Sequence, residues 1–332
     1  MKHTNRQHFS AIARSFHSRL FQTVGIAGLT MQITSACDDP LVAPQTIRDL
    51  RVLGAQVSAL DDPSRASLLP NEKALLRWLV ASNRVEAFSA TIVLCAARPT
   101  TLGVPQCQSG VLLTEQMAGD TQGELEVEFR LPSKLDAGDE WVAFLGLCTD
   151  DAPEFNINSS SFRCQDETPL VGFYRALVVS IDAVEASNSG VNHNPNLDQQ
   201  QLLIDGKDWP VAAQPPQPGE PCGGASLVSV KLGSSTPVEL RLLNDDREPL
   251  EDEGYGDNQR ESLVFTEVAT EDGLERAFLA IDHDSDRNSV KNVFNAVDLE
   301  LDEDGRRVAF YLTALDERGG LSWLTREFCL EP

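Results

Sequence analysis

Residues 135–144 read LDAGDEWVAF and residues 301–310 read LDEDGRRVAF. Both follow the pattern L-D-x5-V-A-F, and each carries a glycine, Gly138 or Gly305, in its polar middle. Each also comes after an acidic run of alternating character, ELEVEFR at 124–130 and VDLELD at 297–302. Strict alternation puts one face of a strand in water and the other in a core. The pattern therefore reads as a strand, a polar corner, and a return as a largely apolar central strand. Two such corners in one chain point to two related domains.

Outward from these corners the signals are those of short strands. In the first half they are ALLRWLVA (74–81), ATIVLCAA (90–97), WVAFLGLC (141–148) and VGFYRALVVSI (171–181). In the second they are SLVSVKL (226–232), VELRLL (238–243), SLVFTEV (262–268), AFLAI (277–281), VAFYLTAL (308–315) and LSWLTREFC (321–329). Turn-forming clusters such as Asp61-Asp62-Pro63 separate them. Helical periodicity is weak, and the one candidate turn within 63–80 is interrupted by Pro70. Between the halves lies a polar stretch, 186–221, holding Asn192-His193-Asn194-Pro195 and then a proline-rich run, 215–221, expected to be extended. The chain of 332 residues is long enough for two cores. The expected organisation is a leader, 1–36, then domains at 45–185 and 192–332.

The leader carries Lys2, Arg6, Arg14 and Arg19 and no carboxylate. The mostly apolar run 20–33 is too short to span a bilayer and suits the core of a signal peptide. Thr34, Ser35 and Ala36 then precede Cys37. Small residues before a cysteine resemble the lipobox of bacterial lipoproteins, in which the cysteine is lipidated; Thr34 and Ala36 also fit simple cleavage. Without Cys37, six of the seven cysteines remain: Cys95, Cys107, Cys148, Cys164, Cys222 and Cys329. An even number suits an oxidising compartment, although six cysteines allow 15 pairings. Proximity favours Cys95–Cys107 and Cys148–Cys164, leaving Cys222–Cys329.

Formal net charge is −24, and it becomes more negative if the cationic leader is removed on export, as expected. Such a surface repels phosphate, so nucleic-acid binding is disfavoured. Of the five histidines only His193 and His283 lie beyond the leader. The sequence has no G-x-S-x-G, H-x-x-x-H, C-x-x-C, G-x-G-x-x-G or P-loop, which argues against the corresponding hydrolase, zinc and nucleotide sites. Asp282, Asp284 and Asp286 alternate as Ca²⁺ ligands can. Arg287 and Val293 stand where an EF-hand needs glycine and glutamate, so a solvated turn is the competing reading. Trp78, Trp141 and Trp323 lie in strand signals and are expected in cores. Trp209, beside Pro210 and outside any strong strand, is the better candidate for a contact surface, with packing against its own domain the competing and favoured reading.

The corner-and-strand pattern resembles the E–F region of immunoglobulin-like sandwiches, with Glu140-Trp141 where those domains carry a corner tyrosine. Asn192-His193-Asn194-Pro195 resembles the junctions that open bacterial Ig-like and cadherin-like repeats, and residues 312–331 resemble the last hairpin of such a domain. Together with the leader, about a third of the chain is similar to secreted lipoproteins of unknown function common in myxobacteria. That resemblance implies two tandem Ig-like β-sandwiches in an all-β chain and brings no activity with it. The functional expectation is a non-catalytic cell-envelope lipoprotein that binds or scaffolds a protein or glycan partner and touches the membrane only through its lipid. The alternative is a carbohydrate- or calcium-dependent adhesion module, with a hydrolase a distant third. No cofactor is expected, Ca²⁺ excepted under the alternative reading.

Overall fold

The computed structural model describes residues 43–98, 104–108, 110–121, 124–179, 191–211, 214–223, 226–243, 247–249, 260–297 and 299–332. The chain is all-β: among the described residues there is no α-helix, and one 3-10 turn spans Leu197–Gln199. Residues from Val42 onward form one compact unit.

The first half contains β1 (Arg51–Ala59), β2 (Lys73–Ala81), β3 (Ala87–Arg98), β4 (Gln106–Cys107), β5 (Leu113–Asp120), β6 (Leu125–Arg130), β7 (Glu140–Cys148), β8 (Glu154–Asn156), β9 (Ser161–Arg163) and β10 (Leu170–Leu177). One sheet is β1-β2-β6; the other is β10-β7-β3, with β4 and β5 pairing β3. Their facing sides enclose Val57, Leu76, Trp78, Ile92, Val127, Trp141 and Leu145. With β1, β2, β3, β5, β6, β7 and β10 as strands A, B, C, C′, E, F and G, the order A-B-E against G-F-C-C′ is that of an Ig-like sandwich.

The second half contains β11 (Gln201–Ile204), β12 (Lys207–Asp208), β13 (Val228–Lys231), β14 (Thr236–Arg241), β15 (Leu263–Ala269), β16 (Phe278–Ile281), β17 (Ser289–Phe294), β18 (Arg306–Asp316) and β19 (Leu321–Glu331). Its sheets are β12-β11-β14-β17 and β13-β19-β18-β15-β16. The chain leaves β11, crosses through the proline-rich stretch, and joins the opposite sheet as β13, parallel to β19. Phe265, Phe294, Phe310, Phe328 and Leu240 fill this second core.

Both L-D-x5-V-A-F segments span the corner that leads into a central strand, from β6 to β7 (E to F) and from β17 to β18. The repeated V-A-F does not keep its facing: Val142 and Phe144 lie on the outer side with Ala143 in the core, whereas Val308 and Phe310 lie in the core with Ala309 outside. Gly138 and Gly305 have φ of +91° and +68°, in the left-handed region that a Cβ disfavours. The strand that feeds the second corner is β17, not residues 297–302, which lie outside any described strand. The stretch 186–221 likewise contains β11 and β12, while residues 74–81 form the strand expected there, within β2.

Two further apolar layers matter for the surfaces. On the outer side of β3 and β7, Val93, Val142 and Phe144 lie under a roof that includes Phe155 and Phe162 of the β8–β9 hairpin. The 21 residues between β7 and β10 make this roof possible. Between the halves, Leu79 and Ala81 of β2 pack with Ile47 against Val268, Ala309 and Tyr311, on the outer side of β15 and β18. Residues 45–47 also extend the β15 edge: Ile47 N–H donates to Ala269 O at 2.8 Å and Ala269 N–H to Gln45 O at 2.9 Å.

Candidate functional site

The six cysteines beyond the leader are joined as Cys95–Cys107, Cys148–Cys164 and Cys222–Cys329, at sequence separations of 12, 16 and 107. The first two pin the roof over β3 and β7. The third ties the start of the β13 segment to the last strand. Cys37 lies outside the described residues.

Asp282, Asp284 and Asp286 do not converge. Among the described residues the one group of three metal-type ligands is Cys148, Cys164 and Glu167, and its two sulfurs are already bonded to each other. The 282–286 loop is organised instead by a cation of the chain: Arg247, 4% exposed, donates to Asp282 O at 3.1 Å and to Ser285 O at 3.0 Å. A guanidinium thus takes two backbone oxygens of this loop. Trp209 is buried, packs on Phe310 and Phe328, and donates Nε1–H to Glu327 O at 3.1 Å. It is a core residue and not a contact surface.

What the sequence spacing did not show is a polar seam that joins the halves. Residues 192–194 pair with 64–67: Ala66 N–H donates to Asn192 O at 2.8 Å, and Asn194 N–H to Ser64 O at 2.7 Å. The Asn194 amide donates to Val57 O at 2.8 Å and accepts Leu321 N–H at 3.0 Å, so one side chain holds both halves. His193 Nδ1 meets Glu248 Oε1. Burial holds this imidazole below its usual pKa, with the charge of Asp62 opposing. A carboxylate only accepts, so the proton must sit on Nδ1. Arg318 reaches Glu248 and also Glu261, the latter at 3.2 Å. Burial, with the nearby charges of Asp316 and Glu317, pushes Glu261 up to about 8. Asp316 is raised to about 6 by burial, against the opposing N–H groups of Gly320 and Arg318. Its Oδ1 accepts both N–H groups at 2.8 Å, and its Oδ2 is buried without a partner.

Clusters of shifted carboxyls occur in catalytic sites and in structural ion-pair networks alike. Here each charge faces another side chain or backbone group of the seam. Among the described residues, no hydroxyl or thiol bonds the Nε2 of His193. The arrangement can hold the two halves in one orientation, and among the described residues it contains no activated nucleophile.

A cleft of about 530 Å³ opens beside the seam, with Gln56, Arg77, Glu124, Asn194, Asp198 and Trp323 among its lining. Trp323 donates Nε1–H to Glu124 at 2.6 Å, and the Arg77 guanidinium sits 5.4 Å from the centre of its ring. One face of the indole is therefore covered by a cation.

No protein-family model matches the chain, and no curated protein does. Solved structures match only distantly. Red sea bream transglutaminase aligns at 10% identity and TM-score 0.24 over 85% of this chain and 31% of that one. The sporulation control protein Spo0M of Bacillus subtilis aligns at 10% identity and TM-score 0.25, over 85% and 91%. Escherichia coli alpha-2-macroglobulin aligns at 9% identity and TM-score 0.22, over 86% and 22%. The chain spans about a third of the transglutaminase, and none of these likenesses carries a function.

Proposed function

We propose that this protein is a non-catalytic module of a bacterial cell envelope, exported, lipidated on Cys37, and rigid enough to present partner-binding surfaces at a fixed angle. The observation that carries this reading is the cysteine pattern. All six other cysteines are bonded to one another, so Cys37 is left as the odd thiol, immediately after a cationic and apolar leader. An oxidising compartment favours the three bonds, and a lone thiol there is a liability unless it is modified. The seam supports the rigid half of the proposal, because it anchors the junction to both sandwiches.

A protein partner is favoured over a glycan. In the cleft beside the seam, stacking on a sugar would use Trp323, and Arg77 already covers one face of that ring. The test is fractionation with and without Cys37→Ser. The wild type should incorporate radiolabelled fatty acid and sediment with membranes, and the variant should be released. Absence of label from the wild type would end the lipoprotein reading. Crosslinking in intact cells, followed by a glycan array with and without Ca²⁺, then separates protein partners from sugars.

A further inference from the structure

The outer side of the β18–β15–β16 sheet is only half covered. At one end Val268, Ala309 and Tyr311 are buried against the first half. At the other end the strand register builds an uncovered apolar ladder. Ala280 pairs Val264 and Val264 pairs Leu315; the next partner, Leu321, is half-buried against Gly54 of β1, so the uncovered part ends at Leu315. Thr266 pairs Phe278 one step along the same face. Phe278 is 64% exposed, and Val264 and Leu315 are each 41% exposed. Adjoining large apolar side chains left in water mark an interaction site more often than chance.

The same chain shows what this face accepts. In the first half the equivalent strands carry Val93, Val142 and Phe144, and the roof with Phe155 and Phe162 covers them. That roof comes from the long connection between β7 and β10. In the second half β18 and β19 are joined by only residues 317–320, so no segment of that connection can fold back.

The rim adds a charge preference. Phe278 and Ala280 also border a groove of about 460 Å³ between β16 and β17, whose lining includes Arg276, Arg287 and Lys291. Lys291 pairs with Glu239 at 3.3 Å. Arg276 and Arg287 have no carboxylate in ion-pair range among the described residues, in a chain of net charge −24. The outer edge of β16 also has no strand partner among the described residues, so its backbone groups on that side are open to another chain.

We infer that this face and groove bind an extended, acidic segment of a partner protein. Aromatic or aliphatic side chains of that segment would take the place that Phe155 and Phe162 take in the first half. Its carboxylates would meet Arg276 and Arg287. The inference rests on the binding-module reading above and names the partner chemistry for it.

Fluorescence anisotropy on the full exported chain carrying Cys37→Ser tests it, with labelled octapeptides Glu-Phe-Glu-Val-Glu-Phe-Glu-Val, its lysine counterpart, and octaglutamate. The alternating acidic peptide should bind. Octaglutamate should bind more weakly and the lysine peptide not measurably. Phe278→Ser, or Arg276→Glu with Arg287→Glu, should each weaken binding about tenfold or more. These side chains are exposed, and unchanged melting of the variants verifies their folding. Equal binding of both charge types, no binding of the acidic peptide, or insensitivity to the substitutions would each overturn the inference. So would concentration-dependent dimerisation abolished by Phe278→Ser, which would make a second copy the occupant. Fatty-acid labelling and membrane release do not depend on this surface, so its failure is distinguishable from failure of the envelope reading.

Discussion

Asn292 Nδ2 donates to Glu267 Oε2 at 2.7 Å inside the second sandwich, while Glu267 Oε1 is buried there with no partner. Glu267 is fully buried, and desolvation pushes its carboxyl up to about 7, with the Asn292 bond opposing. An acid whose folded-state pKa lies above the unfolded value binds its proton more tightly when folded. Stability is then full below the ordinary glutamate range and falls as pH rises from there to about 7. The spread corresponds to on the order of 3 kcal/mol. Glu267→Gln keeps the acceptor for Asn292 and cannot ionise. Urea unfolding should find the variant more stable at pH 8 by up to that amount, with the gain shrinking towards pH 5. A difference that does not change with pH would refute the buried charge.

This pair also shows why one strand escaped the sequence reading. In β17 the inward positions are Val290, Asn292 and Phe294, so the polar residue breaks the apolar alternation that marks a strand. Asn292 is satisfied there by Glu267, 25 positions away, and by Arg276 O at 2.8 Å, 16 positions away. The first corner was legible because it is local: an alternating run, a glycine and a return strand; at the second only the glycine and the return strand were read, since the feeding strand is β17. The two short disulfide loops were legible for the same reason, and the third pair followed by elimination. The seam was not legible. His193, Glu248 and Arg318 have no common spacing, and nothing local distinguishes them from solvated charges until the fold brings them together.

The Asn194 amide makes a sharper test of the seam than any of its charges. Asn194→Ala removes the donor to Val57 O and the acceptor for Leu321 N–H, leaving two backbone groups to find water at an interface. The cost should be about 1–3 kcal/mol, the range for stranding partly buried hydrogen-bonding groups. Hydrogen exchange should show the amide of Leu321 losing protection first. Full protection of Leu321 in the variant would mean that Asn194 does not hold the two sandwiches together.

Because Arg247 already occupies the carbonyls of Asp282 and Ser285, added Ca²⁺ should not stabilise the chain. A ligand that binds only the folded state adds about 2.7 kcal/mol at a hundredfold excess over its dissociation constant. Melting curves in millimolar Ca²⁺ and in chelator are therefore expected to coincide. An upward shift with Ca²⁺ that Asp284→Asn removes would restore the metal reading of this loop.

The two repeat glycines should differ in cost although they occupy equivalent corners. At Gly138 a Cβ would meet nothing within 4 Å, so Gly138→Ala should cost only the left-handed backbone, about 1–2 kcal/mol. At Gly305 a Cβ would lie 2.6 Å from Leu330 O, 3.1 Å from Cys222 Sγ and 3.3 Å from Cys329 Sγ. Gly305→Ala must therefore also displace the last strand or the disulfide, and should be the more damaging of the two. Removing that disulfide opens a loop of 107 residues, worth at most about 4.7 kcal/mol in the chain-entropy model. With Cys222→Ser and Cys329→Ser in place, the sulfur neighbours change and β19 is less tightly held, so Gly305→Ala should cost less than in the oxidised chain. Residues that share contacts in this way couple by roughly 0.5–3 kcal/mol. The measurement is a cycle of four urea titrations: oxidised chain, alanine variant, double serine variant and the triple. Strict additivity, or equal costs at Gly138 and Gly305, would show that the second corner does not depend on its disulfide.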